Sequence, residues 1–285
     1  MKKLHTESPN LPATEHRLRI EQISCEISES DGYFEEPILE SSYPTIPIPE
    51  LETLSACQYL LNSAQENVEL GRTKWLTNSI TGETLYFTDV EPLSRSVASA
   101  MYKRGMRKGD VVLYMTSDVT RIYAFTVGVW RCGGIMYSSY SEDTSDTLLS
   151  RIQDAHVQWI VCDPISVPNA KAAAKGAEWP VELIVFGDEE GCTDISTLFS
   201  DSGSDCPEDV LSEADLDDPL LILCTSGTTG KSKGAVYTNL QVLAFTIGTQ
   251  IFPSTKPQPC SSSDAPMFLD CCSQFATSKL ESGRC

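Results

Sequence analysis

Short apolar runs alternate with longer segments of helical periodicity from residue 82 onward. Runs rich in β-branched residues predict strands, and these runs are DVVLYMT (110–116), GIMYSSY (134–140), QWIVCD (158–163), ELIVFG (182–187) and PLLILCT (219–225). Strands that alternate with helices of ten or more residues form βαβ crossovers and a parallel sheet. Because the strands are almost continuously apolar, we expect helices on both faces. The pattern therefore predicts an α/β fold of layered βαβ units.

Helix limits are predicted from capping residues and glycines. The first predicted helix is 51–66, and a strand is predicted at 83–89. A second helix begins at a Thr88–Glu91 capping box and ends near Gly105, and a third runs from Asp118 to Gly133–Gly134. A fourth begins at Thr144 or Ser145, and a fifth is 169–177. The regular pattern thus occupies the middle of the chain.

The two ends of the chain have a different composition. Residues 1–50 are rich in Ser, Glu and Pro and predict a flexible leader. Residues 253–285 are rich in Ser, Pro and Cys and predict an unstructured tail. The domain is therefore expected over 51–252.

Charge narrows the range of partners. The chain has 285 residues, 21 Lys+Arg and 40 Asp+Glu, for a formal net charge of −19. Twelve acidic residues lie in 188–218, the acidic segment, which has no Lys or Arg and is predicted to be a solvated linker. A negative surface repels nucleic-acid phosphates and anionic lipid, so neither is an expected partner.

The chain also lacks the usual signals for export and metal binding. No apolar region follows the first lysines, and the longest apolar run, Ile122–Trp130, is too short to span a bilayer. Eleven cysteines occur without a CxxC pair, which argues against zinc, and Cys132, Cys162 and Cys224 are expected to be small buried hydrophobic residues. Ser278–Leu280 has the letters of a peroxisomal address, but five residues follow it. We therefore expect a soluble, cytoplasmic protein.

The loop after the strand at 219–225 carries the clearest chemistry. Glycines allow positive φ and can turn backbone N–H groups toward one point, which forms a nest for an anion. Hydroxyl groups add donors and lysines add charge; the loop contains Ser226, Gly227, Thr228, Thr229, Gly230, Lys231, Lys233 and Gly234. For Lys231, a phosphate contact and a solvated loop lysine are equal alternatives.

This loop differs from a Walker A loop. That motif needs Gly, four residues, then Gly-Lys-Ser/Thr, and a helix follows it. Gly230–Ser232 supplies the end of the motif, but residue 225 is Thr and GAVYT (234–238) predicts a strand. We therefore expect a phosphate loop that joins two strands.

TSGTTGKSKG (225–234) resembles the phosphate-binding signature [ST]SG[ST]TG-x-PKG of the adenylate-forming ligases. These form the AMP-binding superfamily of acyl-CoA synthetases, 4-coumarate-CoA ligases and luciferases. GMRKGDVV (105–112) and the stretch from Trp130 to Asp163 also resemble family segments. The resemblance covers about residues 50–250 and implies a partial N-terminal domain of the adenylate-forming ligase fold.

The resemblance implies a site for the β- and γ-phosphates of ATP, with Mg²⁺ bound alongside. The implied contacts are Thr225, Ser226, Gly227, Thr228, Thr229, Gly230 and Lys233. In the family, a carboxylic acid attacks the α-phosphorus, pyrophosphate leaves, and a thiol such as CoA takes the acyl group. No catalytic residue is assigned here, because a carboxylate nucleophile needs no general base, and nothing in the chain supports CoA binding.

The chain also departs from the family pattern. Ser232 stands where Pro is usual, Asn239 stands where His is frequent, and no later segment resembles the family's adenine, ribose or C-terminal lysine motifs. We expect a truncated ligase that does not form acyl-adenylate by itself. The alternative is a non-catalytic anion-binding or interaction module that pairs with a full-length ligase through an exposed sheet edge.

Overall fold

The computed structural model describes residues 55–79, 81–225 and 233–248. The predicted leader (1–50) and tail (253–285) lie outside these residues. The helices are α1 (Ala56–Glu69), α2 (Phe87–Lys103), α3 (Val119–Arg131), α4 (Ser145–Ala155), α5 (Val167–Gly176), α6 (Ile195–Phe199) and α7 (Asn239–Gly248). The strands are β1 (Lys74–Thr77), β2 (Thr84–Tyr86), β3 (Val111–Met115), β4 (Ile135–Ser138), β5 (Val157–Cys162), β6 (Glu182–Val185), β7 (Thr193–Asp194), β8 (Pro219–Thr225) and β9 (Lys233–Thr238).

The main sheet has seven strands in the order β7-β6-β5-β3-β4-β8-β9. Its neighbouring strands are parallel except for β8 and β9, which are antiparallel. One buried apolar cluster joins the sheet to α1, α2, α3, α6 and α7, and a second joins the opposite face to α4 and α5. The predicted parallel α/β fold with both faces covered is confirmed.

The helix starts predicted at Asp118 and Thr144 are confirmed, whereas the helix predicted at 51–66 occupies Ala56–Glu69 and the one predicted at 169–177 occupies Val167–Gly176. The Asp118 carboxylate accepts a bond from the Arg121 N–H at 3.0 Å, and the Thr144 hydroxyl accepts one from the Thr147 N–H at 3.3 Å. After α2, Gly105 adopts φ 96°, a left-handed conformation that glycine tolerates. In the described residues, no helix is long and apolar enough to cross a membrane.

The predicted start of α2 is wrong. The strand ends at Tyr86 rather than at residue 89, and the helix begins at Phe87. The capping carboxylate is Asp89, whose Oδ2 accepts a bond from the Tyr86 N–H at 3.2 Å. The early start buries Phe87, whose ring stacks with that of Trp75 at a centroid distance of 6.3 Å.

The acidic segment is folded, so the prediction of a solvated linker is also wrong. It contributes β7 and α6, and the side chains of Ile195 and Leu198 are fully buried. Its carboxylates bind cations on and after α2. Lys103 Nζ lies 3.0 Å from Asp201 Oδ2 and 2.9 Å from Asp205 Oδ2, and Lys108 Nζ lies 2.6 Å from Asp218 Oδ2.

Asp201 has the most specific environment of these carboxylates. Its Oδ1 accepts hydrogen bonds from the Ser99 hydroxyl at 2.6 Å and the Gly203 N–H at 3.0 Å. Burial by itself raises the pKa of Asp201, but the bonds from Ser99, Gly203 and Lys103 outweigh it and lower the pKa to about 2. The ionised carboxylate is therefore the form that the fold stabilises.

Asp201→Asn is expected to destabilise the protein most at neutral pH. The folded pKa lies below the ordinary value of 3.8, so the stabilisation is complete above pH 3.8 and is lost as the pH falls toward 2. Urea unfolding should show a loss on the order of 1–2 kcal/mol at pH 7 that shrinks below pH 4. Asp209→Asn, in the same segment, is the control. A pH-independent difference would contradict the assignment.

Candidate functional site

The candidate site is the hairpin formed by β8 and β9. In its register Thr225 pairs with Lys233, so these two residues hold the ends of the connecting loop. The Thr225 hydroxyl donates to the Lys233 carbonyl oxygen at 3.1 Å, and both residues are exposed. The predicted loop between two strands, in place of a Walker A strand and helix, is therefore confirmed.

The structure places only part of the predicted site. Thr225 and Lys233 are described, at the facing ends of β8 and β9. The other predicted contacts lie outside the described residues, and they are Ser226, Gly227, Thr228, Thr229, Gly230 and Lys231.

The hairpin opens at the carboxyl edge of the parallel sheet. β8 runs parallel to β4, and its buried residues Leu220–Leu223 lead outward to Thr225. In open α/β sheets, ligands bind outside the carboxyl ends of the strands. Lys233 gives this end of the hairpin a positive charge.

Gly234 is present for close packing rather than for positive φ. We expected it to provide a left-handed conformation, but it is not among the positive-φ glycines of the described residues. A Cβ at this position would lie 2.8 Å from Ile222 Cγ2 and 3.2 Å from the Tyr137 hydroxyl oxygen. The earlier expectation for Gly234 is therefore wrong.

Side chains from β4 and β8 support the start of the loop. The Cys224 thiol donates to the Ser138 carbonyl oxygen at 3.1 Å, and the Ser138 hydroxyl donates to the Ile222 carbonyl oxygen at 3.4 Å. Cys224 is partly exposed rather than buried, unlike Cys132 and Cys162. The end of β8 is thus held to β4 by side chains as well as by the ladder.

Asn239 holds the other end of β9, and the sequence did not reveal this role. Its side chain is 2% exposed. Its Oδ1 accepts a bond from the Ala56 N–H at 2.6 Å, and its Nδ2 donates to the Asp215 carbonyl oxygen at 3.2 Å. The only sequence signal was an Asn immediately before an apolar helical stretch, a typical helix-start residue.

The arrangement is suited to anion binding rather than to acid–base chemistry. The described hairpin contributes a lysine, a hydroxyl and the ends of a glycine-rich loop. In the part of the chain that the structure describes, no group of His, Cys, Asp or Glu side chains is arranged to hold a metal ion.

A protein-family model described as AMP-binding enzyme matches residues 66–280. The matched stretch extends past residue 252, the predicted end of the domain. 4-coumarate–CoA ligase 1 of Petroselinum crispum is 28% identical over 207 residues, which cover 72% of this chain and 36% of that ligase. Peroxisomal OPC-8:0-CoA ligase 1 of Arabidopsis thaliana is 28% identical over 204 residues, 70% of this chain and 35% of that protein. The chain thus spans about a third of the length of these relatives.

Solved structures share the fold. The luciferase-like enzyme from the nonluminescent Zophobas morio mealworm superposes with a TM-score of 0.66 at 17% identity, over 80% of this chain and 54% of that one. The N-terminal domain of FACL13 from Mycobacterium tuberculosis, solved with an inhibitor, gives a TM-score of 0.61 at 15% identity, over 77% and 55% of the two chains.

Asn239→Ala is expected to lower the free energy of unfolding by about 1–3 kcal/mol, because it leaves the buried Ala56 N–H without its partner. Chemical denaturation measures the change. Gln65→Ala, an exposed polar side chain on α1, is the control and should change stability by less than about 0.5 kcal/mol. Equal effects of the two substitutions would show that the Asn239 hydrogen bonds do not contribute to the free energy of unfolding.

Gly234→Ala is expected to destabilise the hairpin, because the added methyl group meets Ile222 and Tyr137 at the distances given above. Overpacking of this kind costs about 1–3 kcal/mol. Thermal unfolding measures it, with Val236→Ala on the exposed part of the same strand as the control. An unchanged melting temperature would mean that the two neighbours move aside freely.

Proposed function

The chain belongs to the AMP-binding enzyme family, and we propose that it carries the triphosphate-binding part of an acyl-adenylate-forming ligase. The predicted resemblance to adenylate-forming ligases is thereby confirmed. The fold is similar to the N-terminal domain of such ligases. The observation that carries the proposal is the hairpin, whose facing ends Thr225 and Lys233 hold the loop with the family signature.

We propose that the loop binds the β- and γ-phosphates of ATP. Backbone N–H groups and hydroxyls would donate to phosphate oxygens, and Lys233 would add a positive charge. The proposed contacts are Thr225, Ser226, Gly227, Thr228, Thr229, Gly230, Lys231 and Lys233. When a carboxylic acid attacks the α-phosphorus, negative charge develops on the departing pyrophosphate, and donors positioned there lower the barrier.

The proposal assigns no residue of this chain to Mg²⁺ or to CoA. Mg²⁺ would enter with the phosphates of ATP, whose charge it neutralises. The described residues offer no carboxylate cluster for it, and no residue is assigned to it or to CoA. The proposed substrate class is a carboxylic acid.

For the 285-residue polypeptide alone, we propose phosphate binding without acyl-adenylate formation. The support is that the alignment covers 36% of 4-coumarate–CoA ligase 1 of Petroselinum crispum. In addition, we identify no adenosine-binding or acyl-binding residue among the described residues. We also propose a cytoplasmic location, which a fluorescent fusion would test against the peroxisomal location that one relative's name states.

A second candidate is a non-catalytic module that pairs with a full-length ligase. The edge position of β9 favours it: among the described strands β9 pairs with β8 alone, and Val236 is 54% exposed. An exposed edge strand can add another strand. Co-elution with a full-length ligase in size-exclusion chromatography would support this candidate, and a monomeric profile would exclude it.

The first proposal predicts that inorganic tripolyphosphate binds the chain and that Lys233→Met weakens its affinity about tenfold, through the loss of one charge-assisted contact. Isothermal titration calorimetry measures the affinity. Lys74→Met, on the β1–β2 hairpin, is the matched control and should bind like the wild type. No binding by the wild type, or equal binding by Lys233→Met, would refute the phosphate site.

ATP–pyrophosphate exchange with a panel of carboxylic acids tests the catalytic part. The isolated chain is expected to show no exchange above background. Exchange that depends on one acid would overturn the proposal that this polypeptide does not form acyl-adenylate, and it would also identify the substrate.

A further inference from the structure

We propose that a cavity between β2, α2, α3 and α6 is a separate ligand site, which takes a small molecule with one ammonium group on an apolar body. The cavity has a volume of about 370 Å³, within the range of about 300–1,000 Å³ that small-molecule sites occupy. Neither Thr225 nor Lys233 is among the residues that line it. The inference is therefore independent of the proposed phosphate site.

The cavity lies next to a point where the sheet changes direction. β3 and its neighbour β5 are followed by helices on opposite faces, since α3 belongs to one apolar cluster and α5 to the other. Open α/β sheets bind ligands outside the carboxyl ends of such strands. Thr120 and Arg121, in the first turn of the helix that follows β3, line the cavity.

The inner wall of the cavity is apolar. Leu85 of β2 and Ala124 of α3 line it, and both are buried. Leu93 of α2 and Phe199 of α6 are partly buried, and both pack against the same apolar cluster. A ligand with an apolar body would cover the remaining surface of these side chains and release water from it. The wall therefore favours a ligand that is apolar over most of its length.

The opening of the cavity carries two carboxylates, Glu83 and Asp89, and the guanidinium of Arg121. Arg121 is already paired with a third carboxylate, because its Nε and its Nη2 each lie 2.6 Å from Asp118 Oδ2. The Glu83 carboxylate is farther away, with its Oε2 4.0 Å from Arg121 Nε. Asp118 therefore neutralises most of the positive charge that Arg121 brings to the opening.

The Asp89 carboxylate has neutral hydrogen-bond donors. Its Oδ2 accepts a bond from the Tyr86 N–H at 3.2 Å, and its Oδ1 accepts one from the Thr88 hydroxyl at 3.3 Å. Neither donor balances its charge, so the opening of the cavity is negative. A primary ammonium group, like that of lysine, has three donors and no acceptor, which complements the oxygens of Asp89 and Glu83.

The same charges disfavour the ligands that are proposed for the hairpin. A carboxylic acid or a phosphate would bring a negative group against Glu83 and Asp89, and like charges placed together are destabilising. An uncharged ligand of the same shape would keep the apolar contacts and lose the attraction to the two carboxylates. The ammonium group is thus the feature that this cavity would select.

The probe for this site is 4-phenylbutylamine, whose amine is protonated at neutral pH. The uncharged 4-phenylbutanol and the anionic 4-phenylbutyrate have the same apolar body and serve as ligand controls. Binding to the 285-residue chain is measured by NMR titration with labelled Leu and Ala methyl groups. These labels report the location directly, because Leu85, Leu93 and Ala124 line the cavity.

The amine is expected to bind with a dissociation constant of about 1 mM or below and to shift the methyl signals of these three residues. The alcohol and the acid should bind at least about tenfold more weakly. Equal binding of the three probes would overturn the proposed selectivity. Shifts confined to other methyl groups, or no binding of the amine, would overturn the site.

Glu83→Gln is expected to weaken amine binding about three- to tenfold, through the loss of one charged acceptor, and to leave alcohol binding unchanged. Glu178→Gln is the matched control, since Glu178 is also exposed and follows α5 on the other face of the sheet. If both variants weakened amine binding equally, the attraction would come from the overall charge of the protein and the site would be refuted.

Ser196→Leu tests the shape of the cavity. Ser196 is exposed and lines the opening, so a leucine there should occupy ligand space without disturbing the core. It should weaken the binding of amine and alcohol alike, whereas Ser196→Ala should bind both like the wild type. Thermal unfolding checks that each variant is folded. Unchanged amine binding in both Ser196→Leu and Glu83→Gln would place the ligand elsewhere and overturn the inference.

Discussion

The antiparallel pairing of β8 with β9 is the constraint on which the rest of the candidate site depends. A parallel sheet alone ends each strand in a crossover to a helix. Here β8 instead returns through a hairpin, with Thr225 facing Lys233, so both ends of the glycine-rich loop are fixed at one place on the carboxyl edge. At the other end of β9, the Asn239 Oδ1 accepts a hydrogen bond from the Ala56 N–H and holds the strand to α1.

The features predicted correctly from the sequence are those decided locally. Apolar runs gave β3, β4, β5, β6 and β8, because burial on both faces leaves a continuous signature. Asp118 and Thr144 were found as caps because their partners lie three residues away. Gly234 was recognised as part of the loop, but the physical reason given for it was wrong, since the obstacle to a side chain comes from Ile222 and Tyr137 on other strands.

The features that could not be predicted depend on distant partners. Residues 188–218 resemble a linker because the segment contains no cation of its own. The lysines that bind Asp201 and Asp218 are Lys103 and Lys108, which lie about a hundred positions earlier in the chain. Asn239 contacts Ala56 across a separation of 183 residues. Helix α7 was also not predicted. Its apolar side chains pack in the cluster that contains residues of α1, which is distant in sequence.

The formal charge of −19 bears on the proposed anion site through the positions of individual carboxylates. The carboxylate of Asp218 immediately precedes β8 and is bound by Lys108, at the amino edge of the sheet. Thr225 ends the same strand at the opposite edge. A strand of this length spans roughly 20 Å at about 3.3 Å per residue, more than twice the Debye length of about 8 Å at physiological salt. The ion pair of Asp218 with Lys108 therefore contributes little repulsion at Thr225, where Lys233 supplies the nearby charge.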